Sequence, residues 1–174
     1  MAIRSSRRRI GPERLRALTS SLLDASTLCA IATVSPRGRA YVNTAYVAWS
    51  NRFDLVWLSE PHATHSRNLR ANAAAAIAVF DSTQRWGERD RGIQLFGSAR
   101  MVAGRAAREA ARVYAEHFPK YGETQLGAYD LYRFRPNRVK LFDERVLGSG
   151  VFVTARVRGG QVTWERTDVY DSAE

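Results

Sequence analysis

The chain has 174 residues, of which 45% are hydrophobic and 25% charged, and it carries a formal net charge of +10. That length can bury one sizeable core, and the composition excludes disordered, collagen-like and low-complexity chains. No apolar stretch approaches the roughly 20 residues that cross a bilayer, and the N-terminus MAIRSSRRRIGPERL has no apolar run of signal length. A cytoplasmic protein without membrane contact is therefore expected.

The location of the charge decides what it implies. Residues 1–16 hold Arg4, Arg7, Arg8, Arg9, Arg14 and Arg16 against Glu13, so half of the excess sits in one arm. The rest is spread over the chain and mixed with acids, unlike the stripe that tracks a phosphate backbone. Residues 1–10 read as a basic, solvated and disordered arm ahead of a single domain over 11–174, and no nucleic-acid partner is expected.

After Gly11-Pro12, the residues Leu15, Leu18, Leu22 and Leu23 recur at helical spacing, with Pro12 suited to the first helical position. LCAIATV (28–34), the turn Ser35-Pro36-Arg37-Gly38 and the extended run RAYVNTAYVAW (39–49) predict a hairpin. Ser50-Asn51-Arg52 turns the chain into a third strand, FDLVWLS (53–59), with Phe53, Leu55 and Trp57 on one side. Pro61 opens a helix of two to three turns, AAIAVF (75–80) reads as a buried strand, and 81–91 as a polar loop. GIQLFGSARMV (92–102) alternates again, and Ala106, Ala110, Val113, Tyr114 and Phe118 mark an amphipathic helix over 105–118. Tyr129 to Phe134 alternate up to a Pro136-Asn137 turn, after which VKLFD (139–143) is extended. VFVTARV (151–157) and QVTWERT (161–167) form a hairpin turned by Gly159-Gly160. The sum is mainly β with flanking helices, and successive hairpins favour a closed or half-closed barrel that hides its edges.

Few residues carry obvious chemistry. His62 and His65 lie three apart, but no third ligand follows at a recognised spacing, so no metal is expected. Cys29 lies in an apolar strand and reads as a small hydrophobe. No nucleophile elbow or phosphate-binding glycine loop is present. What remains is a strand ending Trp57-Leu58-Ser59 that runs into a helix bearing Thr64, His65, Ser66, Arg67 and Asn68. Free N–H groups of a helix start, hydroxyls and a guanidinium suit a phosphate dianion; the same residues also suit a polar helix face in water.

Residues 28–102, from CAIATVSPRGRAYVNTAYVAW through PHATHSRNLRAN to RGIQLFGSARMV, resemble the pyridoxamine 5'-phosphate oxidase-like family of flavin-binding split barrels. The resemblance implies a six-stranded antiparallel split β-barrel and a homodimer with flavin mononucleotide (FMN) in grooves between subunits. It places Asn43 where the oxidases hold an arginine near FMN, with Thr44 and Ala45 passing the ring. Leu58 and Ser59 end the third strand, Ser59 at the position of a threonine. His65 stands where a phosphate-binding lysine is common and Ala63 where its serine partner is. Ser66, Arg67 and Asn68 complete a His-x-Arg-Asn version of the helix, and Gln94 points toward the cofactor edge.

The family's vitamin B6 oxidases close on an Arg-Leu-x-Pro pattern after a tryptophan- and arginine-rich strand. This chain ends VTWERTDVYDSAE, where Trp164 and Arg166 echo that strand without the leucine and proline, which argues against vitamin B6 oxidation. The implied function is an FMN-dependent oxidoreductase acting on a small molecule. Two alternatives belong to the same resemblance. One is reduction by the deazaflavin coenzyme, with charge from Arg67, Arg70, Arg85, Arg89 and Arg91; the other is non-catalytic flavin or haem binding. Four tryptophans, seven tyrosines and seven phenylalanines leave enough aromatic surface for a dimer interface.

Overall fold

A computed structural model describes residues 2–120 and 129–171, with ten strands and three helices. They are β1 (Ala2–Ser6), α1 (Pro12–Leu23), β2 (Leu28–Val34), β3 (Ala40–Tyr46), β4 (Ala48–Trp49), β5 (Leu55–Ser59), α2 (Thr64–Ala71) and β6 (Ala74–Phe80). β7 (Arg91–Met101), α3 (Gly104–His117), β8 (Asp130–Asp143), β9 (Val151–Arg158) and β10 (Gln161–Asp171) complete the order. The mainly β class expected from the alternation is observed. The chain groups into two compact units where one domain was expected: residues 1–26, 78–95 and 137–174, and residues 27–77 and 96–136.

In the first unit the strand order is β1-β10-β9-β8-β7-β6. α1 buries Leu15, Leu18, Leu22 and Leu23, the residues its spacing singled out, and lies against β10. β9 and β10 form the expected hairpin, and φ of 60° and 89° at Gly159 and Gly160 explains why two glycines are needed in so tight a turn. The basic arm is not a solvated tail. Ala2–Ser6 pair antiparallel with Thr167–Asp171, and the arm beyond is tied down at three points. The Arg8 guanidinium donates to Leu147 O (2.7 Å), the Thr167 hydroxyl donates to Arg8 O (2.7 Å), and the Arg9 guanidinium lies 5.1 Å from the Trp164 ring centre. Charge in the sequence signals solvation, but the backbone of the arm completes the edge of β10, and the heads of Arg8 and Arg9 rest on the chain.

In the second unit the order is β4-β5-β8-β7-β6-β2-β3. The implied six strands become ten among the described residues because 39–49 breaks at Val47 into β3 and β4, the arm adds β1, and the final hairpin extends the sheet. The third strand begins at Leu55, not Phe53: Phe53 has φ of 65°, closes a turn onto Ser50 O (2.8 Å) and stacks on Trp49. Leu55, Val56 and Trp57 are all buried, so this strand is covered on both faces.

β8 runs through the expected Pro136-Asn137 turn as one strand. It pairs with β5 over Asp130–Phe134 and with β9 over Arg138–Phe142, so the missing N–H of Pro136 falls between two ladders. Buried positions switch from even (132, 134, 136) to odd (139, 141, 143) at the same place, and the boundary between the units lies there too. β7 passes close: a Cβ on Gly97 would stand 2.1 Å from Arg135 O and 2.8 Å from Pro136 Cα.

The second unit's core joins Ala48, Val56 and Leu131 of the sheet to Ala110, Val113 and Tyr114 of α3. Trp57 and Tyr132 stack at 5.7 Å nearby in the sequence of the β5–β8 ladder, where they are register partners. β3 pairs only with β2 among the described residues, yet it runs alongside β5. Two strands that approach without a ladder leave a split, and the candidate site occupies it.

Candidate functional site

The split forms a groove of about 390 Å³. One wall is Asn43, Thr44, Ala45 and Tyr46 of β3; the other is Leu58 and Ser59 of β5 with Glu60, Ala63 and His65 leading into α2; Tyr114 and Tyr129 close it. Exposure alternates along β3: Asn43 and Ala45 are half-buried, whereas Val42, Thr44 and Tyr46 are exposed, although Thr44 and Tyr46 also line the groove. Six of the ten residues expected at the site thus line one groove.

Ser59 is the junction of its polar end. Its Oγ lies 2.5 Å from His65 Nε2, 3.0 Å from Ser66 Oγ and 3.3 Å from Glu60 O. Ser66 Oγ donates its proton to Glu60 O at 2.8 Å. Proton counting then fixes a direction. If His65 Nε2–H donates to Ser59, Ser59 donates to Ser66 and Ser66 to Glu60 O, the three shortest contacts each hold one proton and the 3.3 Å approach of Ser59 to Glu60 O holds none. The opposite tautomer leaves the two hydroxyl oxygens facing each other with no proton between them. His65 is therefore assigned the Nε2–H tautomer, with Nδ1 as an acceptor. Burial lowers its pKa from the ordinary 6.5, which keeps the ring neutral near pH 7.

The other expected residues have different positions. Ser66 is fully buried behind Ser59, and Asn68 is buried with its amide donating to Thr33 Oγ1 at 3.1 Å, so both anchor α2 to neighbouring elements. Arg67 is exposed and outside the groove lining; its guanidinium donates to His62 O (3.1 Å) and Thr64 Oγ1 (3.3 Å), strapping the first turn of α2. Gln94 is an exposed residue of β7 in the first unit and does not line the groove. Among the described residues the lining contains no arginine or lysine, and its one carboxylate residue is Glu60. Tyr46, Tyr114 and Tyr129 were not singled out for the site. Tyr114 reads as core and is 3% exposed, and alternation along β3 groups Tyr46 with the exposed residues.

Two features suit a nucleotide-like cofactor. Ala63, the N-cap of α2, offers no side-chain cap, which leaves the first N–H groups of the helix open to an anion. Asn43 Oδ1 is buried without a hydrogen-bond partner among the described residues, a cost that a ring N–H would offset. Cys29, across the ladder from Ala45, takes no part: its thiol contacts Ala45 O at 3.4 Å and burial pushes its pKa up to about 12.

The family model described as pyridoxamine 5'-phosphate oxidase matches residues 15–143. No curated protein matches the chain in sequence. Among solved structures, a haem-binding protein from Mycobacterium smegmatis is 19% identical with a TM-score of 0.66, over 84% of this chain and 59% of that one. A conserved hypothetical protein from Mycobacterium tuberculosis is 17% identical with a TM-score of 0.66, over 83% and 92%. A protein of the pyridoxinephosphate oxidase family from Clostridium acetobutylicum is 12% identical with a TM-score of 0.62, over 83% and 96%. These identities support a shared fold and nothing finer.

Proposed function

The chain belongs to the pyridoxamine 5'-phosphate oxidase family, and we propose that it is an FMN-binding oxidoreductase whose flavin lies in the groove between β3 and β5. The observation that carries this reading is the match between groove and cofactor: a buried acceptor without a partner at Asn43 Oδ1, and an uncapped helix start at Ala63. The flavin, when bound, supplies the hydride and electron chemistry itself. The chain's residues bind and orient. Asn43 Oδ1 accepts from a ring N–H, Ala45 and Leu58 leave an apolar slot, and Tyr46, Tyr114 and Tyr129 exclude water. Ser59 and Ser66 fix His65, whose neutral ring adds a hydrogen bond without adding charge.

The substrate class is a small planar acceptor reduced at the expense of a nicotinamide. Val42 and Tyr46 are 62% and 55% exposed on a strand that ends the sheet, which supports a homodimer with a second copy covering that face. A haem reading draws on the Mycobacterium smegmatis relative and on the neutral imidazole of His65 in the groove. It ranks second, because iron ligation through Nε2 breaks the 2.5 Å contact with Ser59. The deazaflavin reading loses Arg91, which pairs with Asp143 at 3.3 Å, and Arg70, which donates to Pro61 O.

The test is the visible absorbance of freshly purified protein, followed by mass spectrometry of whatever heat releases. Released FMN supports the proposal. A Soret band, or uptake of the deazaflavin coenzyme with none of FMN, overturns it.

A further inference from the structure

We infer that the second unit carries a binding site for a small tetrahedral oxyanion, a phosphate monoester or its equivalent, built by Ser98 and Arg100 of β7 with Arg133 and Arg135 of β8. None of the four lines the groove between β3 and β5. They surround a hollow of about 210 Å³ whose remaining walls are Met101 and Val102. Period 2 puts Ser98 with Arg100, and Arg133 with Arg135, on one face of each strand, and Val102 N–H donating to Leu131 O at 2.9 Å ties the two strands together.

Two of the three arginines make only long ion pairs, at 3.8 Å. The Arg133 side chain is only 18% exposed, and its guanidinium makes no hydrogen bond among the described residues. Its nearest carboxylate, Glu109 Oε2, is 3.8 Å away on a side chain 61% exposed. The guanidinium carries five N–H donors, so most are left to water or to an anion that enters the hollow. Arg135 reaches Asp54 only at 3.8 Å, and Arg100 has no ion pair or hydrogen bond among the described residues. An adjoining hollow shares Arg133 and Arg135 and adds Arg52, Arg112, Asp54 and Glu109; with Arg112 paired to Glu116, four arginines face two acids over the pair. Burial raises the pKa of Asp54 against the pull of Arg135, Arg133 and Arg52.

The number and spread of donors select the ligand class. One guanidinium suffices for a carboxylate, in a planar bidentate pair. Three guanidiniums and a hydroxyl converging on one hollow suit a dianion with oxygens in several directions. The hollow's volume admits the anionic group of a small molecule and not a nucleic-acid duplex.

The full-length protein is titrated with inorganic phosphate by calorimetry at constant ionic strength, with chloride and sulfate as comparison anions. The expected result is saturable binding of one phosphate per chain at this site, with a phosphate-dependent rise in Tm. Arg100→Gln and Arg135→Gln, both at exposed side chains, each weaken it by roughly tenfold or more. Arg133→Gln abolishes it, and if that variant fails to fold the other two decide. His65→Ala, which disturbs the other groove, leaves phosphate binding at this site unchanged. The inference is overturned if phosphate binds both exposed-arginine variants as tightly as the parent, if the site is lost in His65→Ala, or if chloride produces the same response. Preference for a DNA duplex with a steep salt dependence overturns it as well.

Discussion

Replacing Ser59 with alanine removes the oxygen at which three groups meet, and the structure sets the size of the loss. Two contacts disappear that water replaces poorly: the one to Ser66 Oγ at 3.0 Å, whose partner is fully buried, and the one to His65 Nε2 at 2.5 Å. A buried neutral hydrogen bond contributes on the order of 1 kcal/mol net, and a stranded donor costs somewhat more, so the expected destabilisation is about 2 kcal/mol. The weaker contact to Glu60 O adds little, because Ser66 already donates to that carbonyl at 2.8 Å. For a domain of this size the shift in Tm is roughly 4–8 °C. Denaturant unfolding of the parent, Ser59→Ala, His65→Gln and the double variant measures the coupling between the two residues. Nitrogen chemical shifts of His65 in the parent report its tautomer. A coupling near zero, or a ring protonated at Nδ1 in place of Nε2, refutes the chain of donors from His65 to Glu60.

Three further outcomes follow from other parts of the fold. Gly97→Ala places a methyl carbon 2.1 Å from a carbonyl oxygen of β8 and is expected to cost about 3 kcal/mol, read by chemical denaturation; a neutral result shows that β7 can move off Pro136. Cys29, 2% exposed and with its pKa near 12, is expected to resist thiol reagents at pH 8 until the chain is unfolded, and stoichiometric labelling of the native protein contradicts this. His65 has a lower pKa folded than the ordinary 6.5, so the unfolded chain takes up its proton first as pH falls. Its contribution to stability is complete above 6.5 and is lost as pH falls through the folded value; stability curves with pH are expected to be flatter in His65→Gln.

Most strands and helices were legible in the sequence because each obeys a local rule. α1 follows its leucines, β2 coincides with LCAIATV, and the β9–β10 turn follows its two glycines. The misreadings have a common cause, which is that a local signal was answered by a distant partner. Pro136 reads as a turn until β5 and β9 are seen to divide the same edge of β8 between them. The arginines of residues 2–9 read as a solvated tail until the edge of β10 is seen to accept their backbone.

The same distinction separates what could and could not be read at the site. Ser59 and His65 are six residues apart on either side of a strand-to-helix turn, so sequence alone brings them together. Tyr114 and Tyr129 reach the groove only through the packing of α3 and the entry to β8, which no spacing encodes. Arg67 shows the converse error: a guanidinium on the right helix is a natural partner for an anion, but in the structure it straps the helix's own first turn. A charge assigned to a ligand from its position in a motif therefore has to be weighed against the backbone carbonyls within its reach. By that measure Arg100, which has no acceptor of its own among the described residues, and Arg133, whose one ion pair is 3.8 Å long, have a stronger claim on a ligand than Arg67.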